Sequence, residues 1–278
     1  MIISGKAKLA GVIGWPVGHS RSPRLHGYWL EKYKIDGAYL PLPIKPENLD
    51  EAFRALPKLG FSGINVTVPH KEKIFALVDE LSLEAKRIGA VNTVLFREDG
   101  SSFGTNTDAF GFIENIKARI DFQPQDRPAV VIGAGGAARA VCVALQNHGV
   151  KEIRLVNRTL EKANNLAQEL GGNIIPIAWD KRDISLDGAK FLVNSSSLGM
   201  QGQPELELNL DWLSKDAVVN DIVYSPLKPQ LLQRAEARGN VIIDGLGMLL
   251  YQAQEGFRHW FGQKPEVTQE LRDFVLGP

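Results

Sequence analysis

The fold is decided by the stretch Ala129-Val130-Val131-Ile132-Gly133-Ala134-Gly135-Gly136-Ala137-Ala138-Arg139. Its apolar, largely β-branched start predicts a buried strand, and the segment 137–148 that follows the glycines predicts a helix. A strand, a tight turn and a helix with this glycine spacing fit the dinucleotide-binding pattern G-x-G-x-x-G/A. The glycines let the backbone approach a pyrophosphate, and the helix N-terminus offers N–H groups and the positive end of its dipole. Glycines at strand ends often serve only the turn, so the pattern needs support from its context.

That support comes from the next predicted strand, 152–156, which leads into Asn157-Arg158-Thr159. In dinucleotide-binding folds, the residues about twenty positions beyond the glycines bind the adenosine ribose. An NAD enzyme has an acidic side chain there to bind the ribose 2′-hydroxyl, whereas this chain has Arg158, with Lys162 one helical turn further on. A guanidinium suits a 2′-phosphate, so we expect the cofactor NADP(H). The alternative is a solvent-exposed basic pair at a helix start.

Composition limits the class of protein. A length of 278 residues favours two domains, and Lys+Arg and Asp+Glu both total 32, so net charge favours neither a nucleic acid nor an anionic membrane as a partner. No segment is apolar enough to span a bilayer, and we expect no metal site. The sole cysteine, Cys142, excludes an internal disulfide, is typical of a cytoplasmic protein and is predicted to be a small core residue.

Near the N-terminus, a strand at 9–15 is followed by a loop with two serines. Ser22 precedes Pro23, which predicts an N-cap and a proline at the first position of a helix over 24–33. Capping would leave Ser20 unexplained. Because Ser20 and Ser22 are two residues apart, their hydroxyls could together bind a small carboxylate.

A second polar pair lies in the predicted strand that begins at Gly63. The alternation of side chains places Ile64, Val66 and Val68 toward the core and Asn65 and Thr67 on the other face. This strand follows a predicted strand at 38–44 and a predicted helix at 46–56.

Two charged residues are candidates for chemistry. Lys71 lies in the first turn of a predicted helix over 69–78, where a cation is mildly unfavourable, although a surface lysine is the simpler interpretation. Further on, a predicted helix at 83–90 precedes strands at 91–96 and 102–106, which a turn at Asp99-Gly100 joins. They deliver Asp108 to the start of a helix over 109–120, where aspartate is also a favoured N-cap.

The polar segment 121–127 predicts a short connection into the glycine-loop strand. Strands at 173–177, 190–193, 218–222 and 241–243, with helices at 160–170 and 229–238, predict a parallel doubly wound sheet. Polar clusters follow two of these strands, where ligands bind in such sheets, and Tyr224 belongs to one of them. A tail helix reaching residue 260 carries Gln252, either a satisfied core amide or a ligand donor, before a last helix over 267–275.

Taken together, these segments resemble the shikimate dehydrogenase family over nearly the whole chain. The matching segments are 14–23 (GWPVGHSRSP), 65–71 (NVTVPHK), 89–93 (GAVNT), 105–108 (TNTD), 133–139 (GAGGAAR), 157–159 (NRT), 194–200 (NSSSLGM), 221–224 (DIVY) and 245–252 (GLGMLLYQ). Each match alone is weak, but so many in the right order are highly specific.

The resemblance implies two α/β domains with a cleft between them: a discontinuous substrate domain, 1–107 plus 245–278, and a Rossmann-like NADP-binding domain, 108–244. It also implies NADPH-dependent, reversible reduction of 3-dehydroshikimate to shikimate, a step of aromatic amino-acid biosynthesis. By position, the catalytic pair is Lys71 and Asp108, and the sequence does not decide which of them transfers the proton. The implied substrate-binding residues are Ser20, Ser22, Asn65, Thr67, Asn92, Tyr224 and Gln252. The implied cofactor-binding residues are Gly133, Ala134, Gly135, Gly136, Ala137, Asn157, Arg158, Thr159, Lys162, Ile222 and Gly245.

Two alternatives stay open. A sister activity in the same family acts on quinate, often with NAD, and the Ser20/Ser22 pair and the basic Arg158/Lys162 site disfavour it. A non-catalytic NADP-binding sensor could use the same scaffold, but such a protein has no need of both Lys71 and Asp108. The sequence does not fix the oligomeric state, and a homodimer is one option.

Overall fold

The computed structural model describes residues 2–121, 123 and 127–277. The chain divides into two compact units, one formed by the residues through Thr107 together with those from Leu249 onward, and the other by Asp108–Met248. The second crossing therefore lies a few residues beyond the predicted boundary at 245. In the predicted connection 121–127, residues 122 and 124–126 lie outside the described part of the chain.

The strands and helices, in chain order, are as follows. The strands are β1 Lys8–Gly14, β2 Gly37–Pro43, β3 Phe61–Val66, β4 Glu80–Leu81, β5 Thr93–Phe96, β6 Ser102–Thr105, β7 Ala129–Ile132, β8 Ile153–Asn157, β9 Ile174–Ala178, β10 Phe191–Asn194, β11 Val218–Asp221 and β12 Val241–Ile243. The helices are α1 Ser22–Lys32, α2 Leu49–Ala55, α3 Lys71–Leu77, α4 Leu83–Ile88, α5 Asp108–Lys117, α6 Gly136–Asn147, α7 Leu160–Leu170, α8 Gln230–Ala237, α9 Leu246–Phe261 and α10 Gln269–Leu276. None of the described helices is both long and apolar enough to cross a membrane.

The first unit contains a mixed six-stranded sheet in the order β2-β1-β3-β5-β6-β4. Strand β1 pairs in parallel with β2 and β3, while β5 is antiparallel to both β3 and β6. The predicted turn at Asp99-Gly100 is confirmed, because it joins antiparallel β5 and β6 and Gly100 has φ +86°. The short strand β4 was not expected from the sequence.

One glycine in this sheet is required by packing. The indole of Trp260, in the C-terminal half of α9, crosses β3 and donates a hydrogen bond from Nε1 to the Val94 carbonyl at 3.0 Å. A Cβ at Gly63 would lie 2.1 Å from that Nε1 and 2.2 Å from the same carbonyl oxygen. Gly63 therefore allows the tail helix to pack directly on the sheet.

Two local predictions are wrong. Strand β3 ends at Val66, so the alternation of faces stops there, and Val68 is 70% exposed instead of buried. Ser22 is the first residue of α1 and not its N-cap, a position held by Arg21 without a side-chain capping bond. The Ser20 hydroxyl instead accepts a hydrogen bond from the Ser22 backbone N–H at 3.3 Å, which gives Ser20 the local role predicted for Ser22.

The second unit is the predicted doubly wound sheet. Its six strands are all parallel, in the order β12-β11-β10-β7-β8-β9, with the glycine-loop strand β7 inside the sheet. Ala129 and Val131 pack in one apolar cluster and Val130 and Ile132 in another, because alternate side chains of a fully buried strand face opposite layers. Cys142 is confirmed as a core residue, and burial raises the pKa of its thiol to about 12.

Candidate active site and cofactor site

In the first unit, three of the predicted substrate-binding residues belong to one buried polar network. Asn65, Asn92 and Gln252 are each less than a tenth exposed. Asn92 Nδ2 donates to Gln252 Oε1 at 3.3 Å, and Asn65 Nδ2 donates to the Asn92 carbonyl oxygen at 3.2 Å. Residues far apart in the chain thus assemble into one array of amides, the kind of surface that can bind several hydroxyl groups.

Two threonines that the sequence did not single out complete this network. Thr93 Oγ1 accepts from Asn65 Nδ2 at 3.1 Å and donates to Asn92 Oδ1 at 2.9 Å. The Thr107 N–H also donates to Asn92 Oδ1, at 2.9 Å. Because Thr107 directly precedes Asp108, the same amide that belongs to the array fixes the backbone beside the candidate catalytic carboxylate.

The backbone of Lys71 is held next to this array. Lys71 begins α3, and its carbonyl oxygen accepts a hydrogen bond from the Val91 N–H at 3.0 Å, one residue before Asn92. The buried ring of His70 bonds the Ile44 carbonyl through Nε2 at 2.7 Å, which anchors the residue before Lys71 to the chain that follows β2. The Lys71 side chain is partly buried.

Of the remaining predicted substrate residues, Ser22 begins α1 and the others lie on loops. Ser22 is 6% exposed and Ser20 is partly buried beside it. Thr67 directly follows β3, and its N–H donates to the Ile13 carbonyl at 2.9 Å. Its methyl group packs against Gly14 so closely that a Cβ at position 14 would lie 2.5 Å from it. Tyr224 is partly buried in the loop after β11, in the second unit. Asp108 is 6% exposed and is the first residue of α5, one position earlier than predicted.

The glycine loop of the second unit has the geometry of an anion-binding turn. Gly133 adopts φ +108°, and a Cβ there would lie 3.1 Å from both Ser195 Oγ and the Ser196 nitrogen. Gly135 occupies the N-cap of α6, and a Cβ there would meet nothing within 4 Å. With no side chain to cap them, the first N–H groups of α6, beginning at Gly136 and Ala137, lie at an open helix end beside Ala134.

The loop after β8 brings together the residues predicted to read the ribose. Asn157 Nδ2 donates to the Thr159 carbonyl at 2.8 Å, which closes the turn between β8 and α7. Arg158 and Lys162 are exposed at the start of α7, and neither forms an ion pair with a carboxylate in the described part of the chain. Two cations that form no ion pair among the described residues fit a phosphate ligand.

A third cofactor segment lies where β11 and β12 end. A Cβ at Gly245 would lie 2.2 Å from the Ile222 carbonyl oxygen, so these two predicted cofactor residues are adjacent and position 245 requires glycine. Next to them, the fully buried carboxylate of Asp221 accepts hydrogen bonds from Asn194 Nδ2 at 3.1 and 3.0 Å and from the Val223 N–H at 2.9 Å. Burial nevertheless raises the pKa of Asp221 to about 7.

Sequence reasoning missed four residues: His70, Thr93, Thr107 and Tyr39, whose hydroxyl donates a hydrogen bond to Asn65 Oδ1. Tyr39 lies within a strand of ordinary composition and carried no signal, whereas Thr93 ends the segment 89–93 that resembles the family. His70 and Thr107 could have been suspected, because each directly precedes a candidate catalytic residue.

Three family models match successive parts of this chain. Residues 12–94 match the model of the shikimate dehydrogenase substrate binding domain, residues 116–198 that of shikimate / quinate 5-dehydrogenase, and residues 245–269 that of the shikimate 5′-dehydrogenase C-terminal domain.

Three individual proteins illustrate the likeness. The shikimate dehydrogenase (NADP(+)) of Paramagnetospirillum magneticum is 59% identical, over 99% of this chain and 100% of its own length. The crystal structure of shikimate 5-dehydrogenase from Thermus thermophilus in complex with NADP(H) and shikimate has a TM-score of 0.86 at 36% identity, over 96% of this chain and 98% of that one. Quinate dehydrogenase from Corynebacterium glutamicum in complex with NAD has a TM-score of 0.90 at 30% identity, over 97% of this chain and 99% of that one. Since the matches extend over nearly the whole sequence, this protein belongs to the shikimate dehydrogenase family.

Proposed function

We propose that this protein catalyses the NADP-dependent, reversible reduction of 3-dehydroshikimate to shikimate, a step of aromatic amino-acid biosynthesis. The observation that carries the proposal is the buried array of Asn65, Asn92 and Gln252, whose amides are held in fixed orientations beside the backbone of Lys71. Fixed amides select a substrate with several hydroxyls, because an analogue that lacks one leaves a buried polar group unpaired.

The residues of the second unit fit NADP(H). The glycine loop at Gly133 and Gly135 and the open N-terminus of α6 would hold the pyrophosphate. Arg158 and Lys162 would bind the 2′-phosphate, while Ile222 and Gly245 would lie near the nicotinamide. When bound, the reduced cofactor supplies the hydride for the ketone, and the protein contributes placement and proton transfer.

The proton transfer is assigned to Lys71 and Asp108. Reduction of a ketone leaves negative charge on its oxygen, which must gain a proton as the charge develops. The Nζ ammonium of Lys71 can donate that proton or stabilise the charge, and in the reverse direction the amine accepts the proton. The Asp108 carboxylate is suited to accept a hydrogen bond from a neighbouring substrate hydroxyl and so to orient the ring.

The test is a spectrophotometric assay of NADP⁺ reduction with shikimate, followed by the same assay with NAD⁺ and with quinate. Lys71→Ala should lower kcat by about 10²- to 10⁴-fold, the usual contribution of a general acid–base group, while cofactor binding measured by fluorescence titration persists. Lys73→Ala is the matched control, since Lys73 lies on the same helix and pairs with Asp50 at 2.9 Å on the surface. Wild-type rates in Lys71→Ala would remove Lys71 from catalysis. Turnover only with quinate and NAD⁺ would favour the sister activity, and no turnover with any pair would favour the sensor.

We also propose a cytoplasmic location, where a buried thiol such as Cys142 stays reduced. Fractionation of the native host, with the assay above as the marker, tests this.

A further inference from the structure

Tyr39 is a buried residue in the middle of β2, on the side of the sheet where the polar array lies. It is 7% exposed, and its phenol donates a hydrogen bond to Asn65 Oδ1 at 2.6 Å. A buried tyrosine needs a partner for its hydroxyl, and here that partner is the side chain of a proposed substrate-binding residue.

The orientation of the Asn65 amide is determined by its other neighbours. Its nitrogen lies 3.2 Å from the backbone carbonyl oxygen of Asn92, which can only accept, and 3.1 Å from Thr93 Oγ1. Both amide hydrogens are therefore used, and the opposite atom must be the oxygen. An amide oxygen has two lone pairs, and Tyr39 occupies one of them. Among the described residues Tyr39 donates to Oδ1 and neither nitrogen of the nearby His26 ring has hydrogen-bond geometry to it, so one acceptor site remains for a ligand.

The surroundings of Tyr39 hold it as a donor. Burial raises the pKa of the phenol well above its ordinary value, and a hydrogen bond with the Ser22 hydroxyl acts more weakly in the other direction. The His26 ring stacks on the Tyr39 ring with centroids 4.0 Å apart and planes 6° apart. Burial lowers the pKa of His26 to about 3 against a weaker opposing effect of the Asn65 side chain, so this ring is neutral at the pH of the cell and places no positive charge against the phenol.

We propose, on the basis of the proposed function, that Tyr39 is a positioning residue that holds Asn65 in the orientation set by Asn92 and Thr93, with only its oxygen available, so that the site requires a substrate hydroxyl that donates at this point. A carbonyl, ether or fluorine at the same position would bring two acceptors together and be rejected. Tyr39 thereby contributes to the choice of substrate without touching it.

The first experiment compares Tyr39→Phe with the control Tyr33→Phe. The Phe replacement keeps the ring that stacks on His26 and removes only the hydroxyl. Tyr33 belongs to the same unit, but its hydroxyl accepts from the Glu266 N–H at 3.1 Å, away from the array. Tyr39→Phe should raise KM for shikimate about 3- to 10-fold and leave KM for NADP⁺ near the wild-type value, because one oriented hydrogen bond in the substrate array is lost. Tyr33→Phe should change none of these quantities, and an equal rise in both KM values for Tyr39→Phe would overturn the proposal.

The second experiment uses shikimate analogues in which each ring hydroxyl is replaced in turn by hydrogen or by fluorine, with inhibition constants measured against shikimate. Fluorine accepts weakly and cannot donate. At the ring position that faces Asn65, the hydrogen analogue and the fluorine analogue should bind the wild type more weakly than shikimate does, by similar factors. Tyr39→Phe should bind these two analogues with the same affinity as the wild type. Full retention of affinity by every fluorine analogue would show that Asn65 does not require a donor. The wild-type measurements decide this even if the variant does not fold.

The two proposals fail in different ways. If the wild type does not oxidise shikimate, or if Asn65→Ala leaves KM for shikimate unchanged, the proposed function or the assignment of Asn65 is wrong. If turnover and the effect of Asn65→Ala are as expected but Tyr39→Phe is silent, only the role of Tyr39 is wrong.

Discussion

Replacing His26 with leucine should make the protein less sensitive to acid. The ring is fully buried, and neither of its nitrogens has a partner with hydrogen-bond geometry among the described residues. Burial lowers its pKa from 6.5 to about 3, against a weaker opposing effect of the Asn65 side chain. In the unfolded chain the same ring gains a proton as the pH falls below 6.5, so acid stabilises the unfolded state. The stability lost through His26 therefore begins near pH 6.5 and grows until the pH approaches 3.

The size of the effect follows from the two pKa values. Each pH unit within that window changes the free energy of unfolding by about 1.4 kcal/mol, which gives a loss of about 2 kcal/mol between pH 7 and pH 5. Asp221 acts in the opposite direction, because a carboxyl whose pKa burial raises to about 7 gains a proton in the folded state first and stabilises it as the pH falls. The two contributions partly cancel in the wild type, so the difference between wild type and variant is the quantity to measure.

The assay is urea unfolding followed by fluorescence and circular dichroism at pH 7 and pH 5. The free energy of unfolding of His26→Leu minus that of the wild type should increase by about 2 kcal/mol when the pH is lowered from 7 to 5. His19→Leu is the control, because the His19 side chain is exposed. The difference in free energy of unfolding between this variant and the wild type should be the same at pH 5 and pH 7. If the gap between His26→Leu and the wild type is the same at pH 5 and pH 7, His26 is not held neutral in the folded protein and the reasoning is refuted.

Two further outcomes are expected. Arg158→Ala should raise KM for NADP⁺ by about 10- to 100-fold, because the 2′-phosphate loses its charged partner. KM for NAD⁺, which has no 2′-phosphate, should stay nearly unchanged, and equal effects on both KM values in the steady-state assay would contradict the assignment. Gly63→Ala should lower the free energy of unfolding by about 3 kcal/mol or more, because the new Cβ would lie 2.1 Å from Trp260 Nε1. Gly27→Ala, where a Cβ in α1 meets nothing within 4 Å, should be neutral or slightly stabilising in the same urea titration, and a similar loss in both variants would refute the packing explanation.

The sequence predicted most of the second unit because its signals are local. An unbroken apolar strand that ends in glycines leaves few alternatives to β7 followed by α6, and the repeated alternation of strands and helices implies a parallel sheet. The order of the strands and the close approach of Gly245 to the Ile222 carbonyl depend on contacts between distant segments, so no short window of sequence contained them.

The first unit shows where local rules stop. The alternation of side chains correctly buried Ile64 and Val66, but it could not indicate that β3 ends before Val68. A serine before a proline is typical of an N-cap, yet the helix begins one residue earlier than that rule allows and Ser20 provides the local bond. The role of Tyr39 could not be predicted for a different reason. Tyrosine is common in strands, and only the hydrogen bond to Asn65, on another strand of the sheet, distinguishes this one.

Helix α9 starts in one unit and finishes in the other, and this has a consequence for how the protein is made. As the polypeptide leaves the ribosome, residues 108–248 emerge as an uninterrupted block, whereas the N-terminal sheet must wait for residues 249–278. Until Trp260 has been synthesised, the space beside Gly63 and the Val94 carbonyl, which the Trp260 indole occupies in the folded protein, stays empty. We therefore expect the usual N-to-C order of domain maturation to be reversed for these two units, with the nascent N-terminal segment dependent on chaperones until residues 249–278 have been synthesised.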